Sequence, residues 1–224
     1  MFRIICLFVG YAFGCIQTAY ILGKFIYKID IRKEGSGNAG TTNITRVLGA
    51  KAGGFVFLVD VFKAVAAYTV CSLVFHGSGS LVPGGSILCV VAFPQNGYLP
   101  GLYAGIGVII GHNFPFYMKF KGGKGIASTV GITLSFDILG GFIAGLIGLF
   151  GVIITKYISV TSLILTALFP VTMMVRSYRI QTHFIETLAL GFVVMVMAWF
   201  QHRGNIARLL QGKENKFSIG KSRK

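Results

Sequence analysis

Apolar residues run along this chain in long unbroken blocks, without the regular polar interruptions of a soluble helix or strand. Ile4–Gly23 contains no Asp, Glu, Lys or Arg, and Gly54–Phe75 is broken only by Asp60 and Lys63. Further blocks cover Tyr98–Met118, Ile126–Phe136, Ile138–Thr155, Ser159–Val175 and Phe184–Phe200. A helix crosses the hydrocarbon in about 20 residues. Lipid-facing helices are apolar nearly all round, so block length is the signal here and amphipathic period is not. Asp137 alone separates the fourth and fifth blocks, which predicts a tight turn between a short span and a longer one. The pattern predicts an all-α polytopic membrane protein with about seven transmembrane helices.

Polar residues decide the topology. Gly84–Phe93, between Pro83 and Pro94, is apolar but only about ten residues long, which suits a re-entrant or interfacial segment. With seven spans, the loops near 24–53, 119–125, 156–158 and 201–224 share one side and hold 17 of the 21 basic residues. Arg3, Arg176 and Arg179 fall on the other side. An extra span at 84–93 would place Lys119, Lys121 and Lys124 outside, so it is rejected. The positive-inside asymmetry predicts an outer N-terminus and a cytoplasmic C-terminus.

Composition agrees. The 224 residues are 54% hydrophobic and 12% charged, with a mean hydropathy of +0.75. A soluble domain carries about twice that charged fraction. The length suits a single membrane domain over 1–224, with 212–224 a basic cytoplasmic tail that suits anionic lipid. The N-terminal block exceeds a signal core and lacks a small-x-small cleavage site, so it is read as a span. Cys6, Cys15, Cys71 and Cys89 all lie in apolar stretches and read as small buried hydrophobes. The net charge of +15 would suggest nucleic acid in a soluble protein. Basic residues that alternate with spans suit orientation, anionic substrates and membrane lipids instead, so no nucleic-acid partner is expected.

Three loops on the basic side concentrate polar chemistry. The first reads Gly35-Ser36-Gly37-Asn38-Ala39-Gly40-Thr41-Thr42-Asn43-Ile44-Thr45-Arg46. Its glycines let backbone amides approach a ligand, its hydroxyls and amides donate, and Arg46 can grip a phosphate with two prongs. The second runs from Gly111 and His112 through Lys121-Gly122-Gly123-Lys124-Gly125 into the fourth block. Lysines and exposed amides before a helix N-terminus suit phosphate, although the spacing is not that of a Walker A loop. The third carries His202, Arg203, Asn205, Arg208 and Glu214. On a helix His202, Asn205 and Arg208 fall at adjoining positions of one face. The bland readings are a flexible loop, an orienting lysine cluster and a charged surface helix.

Asp60 and Lys63 are costly inside a span and lie three apart on one helical face. They read either as a neutralising pair or as a lysine that reaches a headgroup phosphate. His76 and His183 show no companions in the sequence. No Cys/His metal cluster and no Gly-x-Ser-x-Gly turn is present, and the carboxylates flanking the three motifs are Glu34 and Glu214. Neither a metal-dependent phosphotransferase nor a covalent serine enzyme is supported, and no cofactor is expected.

Taken together, the three segments resemble the bacterial acyl-phosphate:glycerol-3-phosphate acyltransferases, the PlsY family. The family patterns Gly-Ser-Gly-Asn-x-Gly-x-Thr-Asn-x-x-Arg, Gly-His-x-x-Pro-x-Phe-x-x-Phe-Lys-Gly-Gly-Lys-Gly and His-Arg-x-Asn-Ile-x-Arg-Leu-x-x-Gly-x-Glu occur in order, with Tyr117 at the first Phe of the second. Thr41 stands where Ala is usual, Ser128 precedes Thr129 in a varied run, and the 76–97 stretch is longer than usual. The resemblance implies a seven-span enzyme of the bacterial inner membrane whose active site faces the cytoplasm. It would move a fatty acyl group from long-chain acyl phosphate to the 1-hydroxyl of glycerol 3-phosphate, the first acylation of phospholipid biosynthesis. A functional link to the enzyme that supplies acyl phosphate is a further expectation.

By the same resemblance Ser36, Arg46, His202 and Asn205 are expected to serve activity, and Glu214 the integrity of the site. Gly122, Gly123 and Gly125 are expected to support glycerol-3-phosphate binding. Gly37, Asn38, Thr42, Asn43, His112, Lys121, Lys124, Arg203, Arg208 and Lys63 complete the candidate phosphate-binding set. The activated mixed anhydride needs little help to leave, so positioning and charge stabilisation can carry the reaction. A substrate phosphate oxygen is expected to take the hydroxyl proton, with His202 as the rival base. The competing reading is a transporter of an organic phosphate, which would hold its binding groups near the midplane and not in loops.

Overall fold

The computed structural model describes residues 1–75, 98–180 and 183–217, with the side chains of Arg179 and Ile180 left aside. Expectations for Gly84–Phe93, for His76 and Cys89, and for the last residues of the basic tail lie outside the described residues. Among the described residues the regular elements are all helical. They are α1 (Phe2–Gly14), α2 (Thr18–Ile21) with a π-helical turn at Leu22–Ile26, α3 (Thr41–Leu48), α4 (Ala50–Val74) and α5 (Tyr98–Asn113). Then follow α6 (Ile126–Phe136), α7 (Ile138–Thr155), α8 (Ile158–Ile180), α9 (Phe184–Gln201) and α10 (Arg203–Leu210).

Each of the seven apolar blocks is helical. Five stretches are long and apolar enough to cross a membrane: Phe2–Ile26, Ala50–Val74, Ile138–Thr155, Ile158–Tyr178 and Phe184–Gln201. The other two blocks give α5, 16 residues long, and α6, 11 residues long. Both fall short of the roughly 20 residues of a full crossing. The third block extends in sequence to Met118, but its α-helix stops at Asn113. Pro115 lacks an N–H and disfavours helical geometry in the residue before it. The first block also breaks, between Gly14 and Thr18.

That break is built. Gln17 is fully buried, and its Nε2 donates to His112 O at 2.9 Å and to Gly14 O at 3.2 Å. Tyr117 Oη donates to Cys15 O at 2.7 Å. The chain therefore turns beside the end of α5. α1 and α5 approach closely along matching small-residue rows, Gly10/Gly14 and Gly107/Gly111. A Cβ on Gly10 would lie 1.9 Å from Ala104 O, and one on Gly111 2.2 Å from Tyr11 O. Without a hydrophobic drive between helices in lipid, close backbone packing of this kind supplies the association.

α5 is the central helix and packs on α1, α4, α6 and α9. The core joins Cys6, Tyr68, Leu102, Ile132, Met173 and Val194 from six helices. α7 lies at the margin and buries only Gly141 and Gly148, while Phe142, Leu149, Phe150 and Ile154 are exposed. Such an outer face suits hydrocarbon. At the α1 start, Arg3 Nε donates to Glu186 Oε1 at 2.6 Å and Tyr103 Oη donates to the same oxygen at 2.6 Å. His183 Nδ1 lies 3.6 Å from Glu186 Oε2, so this histidine does have a companion.

Candidate functional site

Asn43 organises the first loop. Its Oδ1 accepts the Ser36 N–H at 2.8 Å, and its Nδ2 donates to Glu34 O at 2.9 Å and Ile31 O at 3.2 Å. Gly35 has φ +57°, and a Cβ there would lie 2.3 Å from Asn43 Oδ1, so the turn requires glycine. Asn43 is buried and spends its amide on the loop, which leaves Ser36 exposed. Arg46, one helical turn further along α3, is half-buried and its guanidinium has no partner among the described residues.

The second loop wraps His112. The Gly123 N–H donates to His112 O at 3.0 Å and the Gly122 N–H to Asn113 O at 3.1 Å. A Cβ on Gly123 would lie 2.0 Å from His112 Nε2, and one on Gly122 2.1 Å from His112 O. These two glycines permit close packing on His112, and their amides are engaged with the backbone. Gly125, at φ +77°, then starts α6.

The third segment locks onto the second. Lys124 Nζ donates to Asn205 Oδ1. Asn205 Nδ2 donates to Glu214 Oε1 at 2.6 Å and Arg208 Nε donates to Glu214 Oε2 at 2.8 Å. The Phe217 N–H donates to Lys156 O at 2.7 Å, which ties the tail to the α7–α8 connection. Burial pushes the Lys124 ammonium down to about 8, against the pull of Glu214 and with some repulsion from Arg208. His202 is pushed down to about 4, first by burial and then by the Lys124 charge. Its ring is therefore neutral near pH 7. Nδ1 lies 2.7 Å from Ala198 O, an acceptor, so Nδ1 carries the proton and Nε2 the lone pair.

All three segments border one cavity of about 440 Å³. Ser36, Asn38, Thr42, Asn43, Arg46, His112, Lys124, Gly125, His202, Asn205, Arg208 and Glu214 line it. Residues at the N-termini of α3 and α6 also line it, and neither helix has a side-chain cap. Uncapped N–H groups and the positive ends of helix dipoles suit an anion. Phe57, Ile126 and Val152 form an apolar part of the wall.

Comparison with known proteins shows the family. Residues 4–212 match the family model described as glycerol-3-phosphate acyltransferase. The chain belongs to the glycerol-3-phosphate acyltransferase family. It is 39% identical to the glycerol-3-phosphate acyltransferase of Thermoanaerobacter pseudethanolicus over 216 residues, 96% of each chain. It is 36% identical to that of Shouchella clausii over 208 residues, 92% of each chain. Its fold is similar to two crystal structures of PlsY, an integral membrane glycerol 3-phosphate acyltransferase, each 25% identical. The glycerol 3-phosphate form has a TM-score of 0.76 and covers 96% of each chain. The lysophosphatidic acid form has a TM-score of 0.73 and covers 96% of this chain and 95% of that one.

For an acyltransferase of this family, the structure sorts the candidate residues. Gly37, Lys121, Gly122, Gly123, Arg203 and Lys63 do not line the cavity. Lys121 is exposed, and Arg203 donates to Phe200 O at 3.0 Å and stacks over the Phe200 ring. Lys63 is buried and donates to Ile16 O at 2.8 Å, beside Asp60 Oδ1 at 2.8 Å. Asp60 does line the cavity, so a third carboxylate joins the neighbourhood of Glu34 and Glu214. Its charge inside an apolar block was the available signal. Ser159, Ser162 and Phe217 also line the cavity, with no signal in the sequence to mark them.

Proposed function

We propose that this protein transfers a fatty acyl group from acyl phosphate to the 1-hydroxyl of glycerol 3-phosphate, with lysophosphatidic acid and inorganic phosphate as products. The observation that carries the reading is one cavity that joins Arg46, Lys124, Arg208 and two uncapped helix N-termini to a neutral His202 and an apolar wall. The names of the relatives and the two bound forms of PlsY support the acceptor and the product. The residue chemistry supports the donor. Two phosphorylated substrates need several cations in one place, and an acyl phosphate brings its own leaving group.

In the proposed step the acceptor 1-hydroxyl oxygen attacks the acyl carbonyl carbon. The carbonyl C–O bond to phosphate breaks, and its electron pair leaves with inorganic phosphate. The hydroxyl proton goes to His202 Nε2, which a neutral ring protonated at Nδ1 leaves free. This makes His202 Nε2 the protein's own candidate base, with a substrate phosphate oxygen as its rival. Such a weak base suffices because the donor is an activated anhydride. Arg46, Lys124 and Arg208 offset phosphate charge, Ser36 and Asn205 hydrogen-bond the reacting groups, and Glu214 holds Asn205 and Arg208 in place.

The protein is proposed to act as one membrane domain with its cavity on the cytoplasmic side of the bacterial inner membrane. The excess of basic loops at the cavity end supports that orientation. The soluble acceptor would enter from water, and the acyl chain from lipid along the side of Phe57, Ile126 and Val152. The test uses purified protein in detergent with labelled glycerol 3-phosphate and, separately, acyl phosphate, acyl-CoA or acyl carrier protein. Labelled lysophosphatidic acid is expected from acyl phosphate alone. Equal product from acyl-CoA would overturn the donor assignment.

A further inference from the structure

The reactive cavity does not end at its apolar wall. Ile126, which lines it, also lines a narrow space of about 30 Å³ between α6, α7 and α8. Ala144 borders both that narrow space and a further one of about 230 Å³, which Ile143, Ile147 and Val171 also line. The order of lining residues along each helix agrees. On α7 it runs from Val152 to Gly145 to Gly140, and on α8 from Ser159 to Leu165 to Thr172. On α6 it runs from Ile126 through Thr133 to Asp137, just past the helix end. One groove therefore follows three helices away from the reactive cavity. At about 1.5 Å of rise per residue, its α7 side is about 10 Å long from Val152 to Gly145 and about 18 Å long to Gly140.

The groove changes character along its length. At its mouth Ser159 Oγ is buried and has no partner among the described residues, which leaves a polar atom for a ligand. In the neck Thr129, Thr133 and Thr166 donate their hydroxyls to backbone carbonyls one turn back, at 2.9, 2.8 and 2.8 Å. The neck therefore suits hydrocarbon. Beyond it, the exposed Ile143, Ile147 and Val171 face lipid. Two glycines border the neck, for different reasons. A Cβ on Gly141 would lie 2.8 Å from Leu134 Cδ2, so Gly141 permits packing. A Cβ on Gly145 meets no described residue within 4 Å, and its backbone is ordinary helix. Helical propensity alone would favour alanine there. Neither packing nor conformation calls for Gly145; an open neck does.

We infer that this groove holds the acyl chain of the donor and that Gly145 governs which chain lengths pass its neck, an inference that rests on the acyltransferase reading. The carbonyl end stays near Ser159, beside the reacting groups, and the methyl end runs toward Asp137. With bonds of about 1.5 Å at tetrahedral angles, a saturated chain advances about 1.3 Å per carbon. An octanoyl chain then ends near Gly145, and a hexadecanoyl chain must pass it. The tail of an ordinary bilayer lipid is the rival occupant. Continuity with the reactive cavity through Ile126 favours the donor, because the chain and the reacting carbonyl belong to one molecule.

The test lets octanoyl phosphate and hexadecanoyl phosphate compete for labelled glycerol 3-phosphate in micelles of fixed composition. It reads the ratio of the two lysophosphatidic acids, with Tm as the folding check. Gly145→Ala is expected to lower the long-to-short ratio a few-fold. Gly145→Leu is expected to lower it at least about tenfold, the size of a steric mismatch in an apolar pocket. Leu146→Phe, next along α7 and outside the groove lining, is expected to leave the ratio as it is. An unchanged ratio in folded Gly145→Leu overturns the inference and leaves the acyltransferase reading intact, whether turnover holds or falls equally for both donors. A structural role or a displaced bilayer lipid acts in that way. An equal shift in Leu146→Phe overturns it too, since the effect then belongs to the lipid-facing side of α7. Loss of folding in both Gly145 variants does the same, because the space would then be packing. No product from either donor in folded, unaltered protein overturns both readings.

Discussion

The Asn205 side-chain amide donates to the Glu214 carboxylate at 2.6 Å. The other carboxylate oxygen accepts from Arg208, and the Asn205 carbonyl accepts from Lys124. Glu214 is thus the anchor of a chain that reaches across from the third segment to the second. Glu214→Gln keeps one acceptor and replaces the other by a donor aimed at a guanidinium. The expected loss in kcat/KM is about 10- to 100-fold, the size of a charge-assisted hydrogen bond. Steady-state kinetics on folded variant would check this, and unchanged turnover would show that the chain is idle.

Glycines separate packing from ornament. Gly123→Ala places a Cβ 2.0 Å from the His112 ring and should lower both Tm and activity. Gly54→Ala meets nothing within 4 Å on an exposed helical face. It should be neutral or stabilising by up to about 1 kcal/mol. Thermal unfolding in one detergent compares the two, and equal Tm values would contradict the packing account.

Two groups should shape the pH profile. His202 must be neutral to accept a proton, so kcat/KM falls as pH drops through about 4. Lys124 must be charged, so it falls again as pH rises through about 8. Lys124→Arg should remove the alkaline limb. The substrate phosphate ionises near pH 6, and its effect is common to variant and parent. It therefore cancels in their ratio, and a ratio flat from pH 7 to 10 would exclude Lys124 from the limb.

Arg46 has no partner among the described residues, so its substitution tests substrate contact more cleanly than folding. Arg46→Lys keeps the charge and loses the planar fork. The KM for glycerol 3-phosphate is expected to rise at least tenfold with an unchanged Tm. An unaltered KM would move the phosphate elsewhere in the cavity.

Much of this was legible in the sequence, for identifiable reasons. Block length alone located the helices, because lipid-facing helices need no pattern beyond apolarity. The clustering of Ser36, Arg46, Lys124, His202, Asn205 and Arg208 in basic loops foretold a shared site. Exact helix ends were not legible, since Pro115 stops α5 where the hydropathy continues. The work of Gly122 and Gly123 was also hidden, because a glycine that packs on a histidine and one that bares an amide look alike in sequence. Asp60 showed its charge but not its surroundings, which come from α1, α2 and α5.

The central claim is that the cavity shared by the three segments is where the acyl group moves. Its most direct measurement is single-turnover formation of labelled lysophosphatidic acid from acyl phosphate and labelled glycerol 3-phosphate by purified protein, His202→Ala and Arg46→Ala, each with a matched folding check. The account expects rapid product from the unaltered chain and a loss of at least 100-fold in each folded variant, with glycerol 3-phosphate still bound by His202→Ala. Product formed at the parent rate by both variants would contradict it.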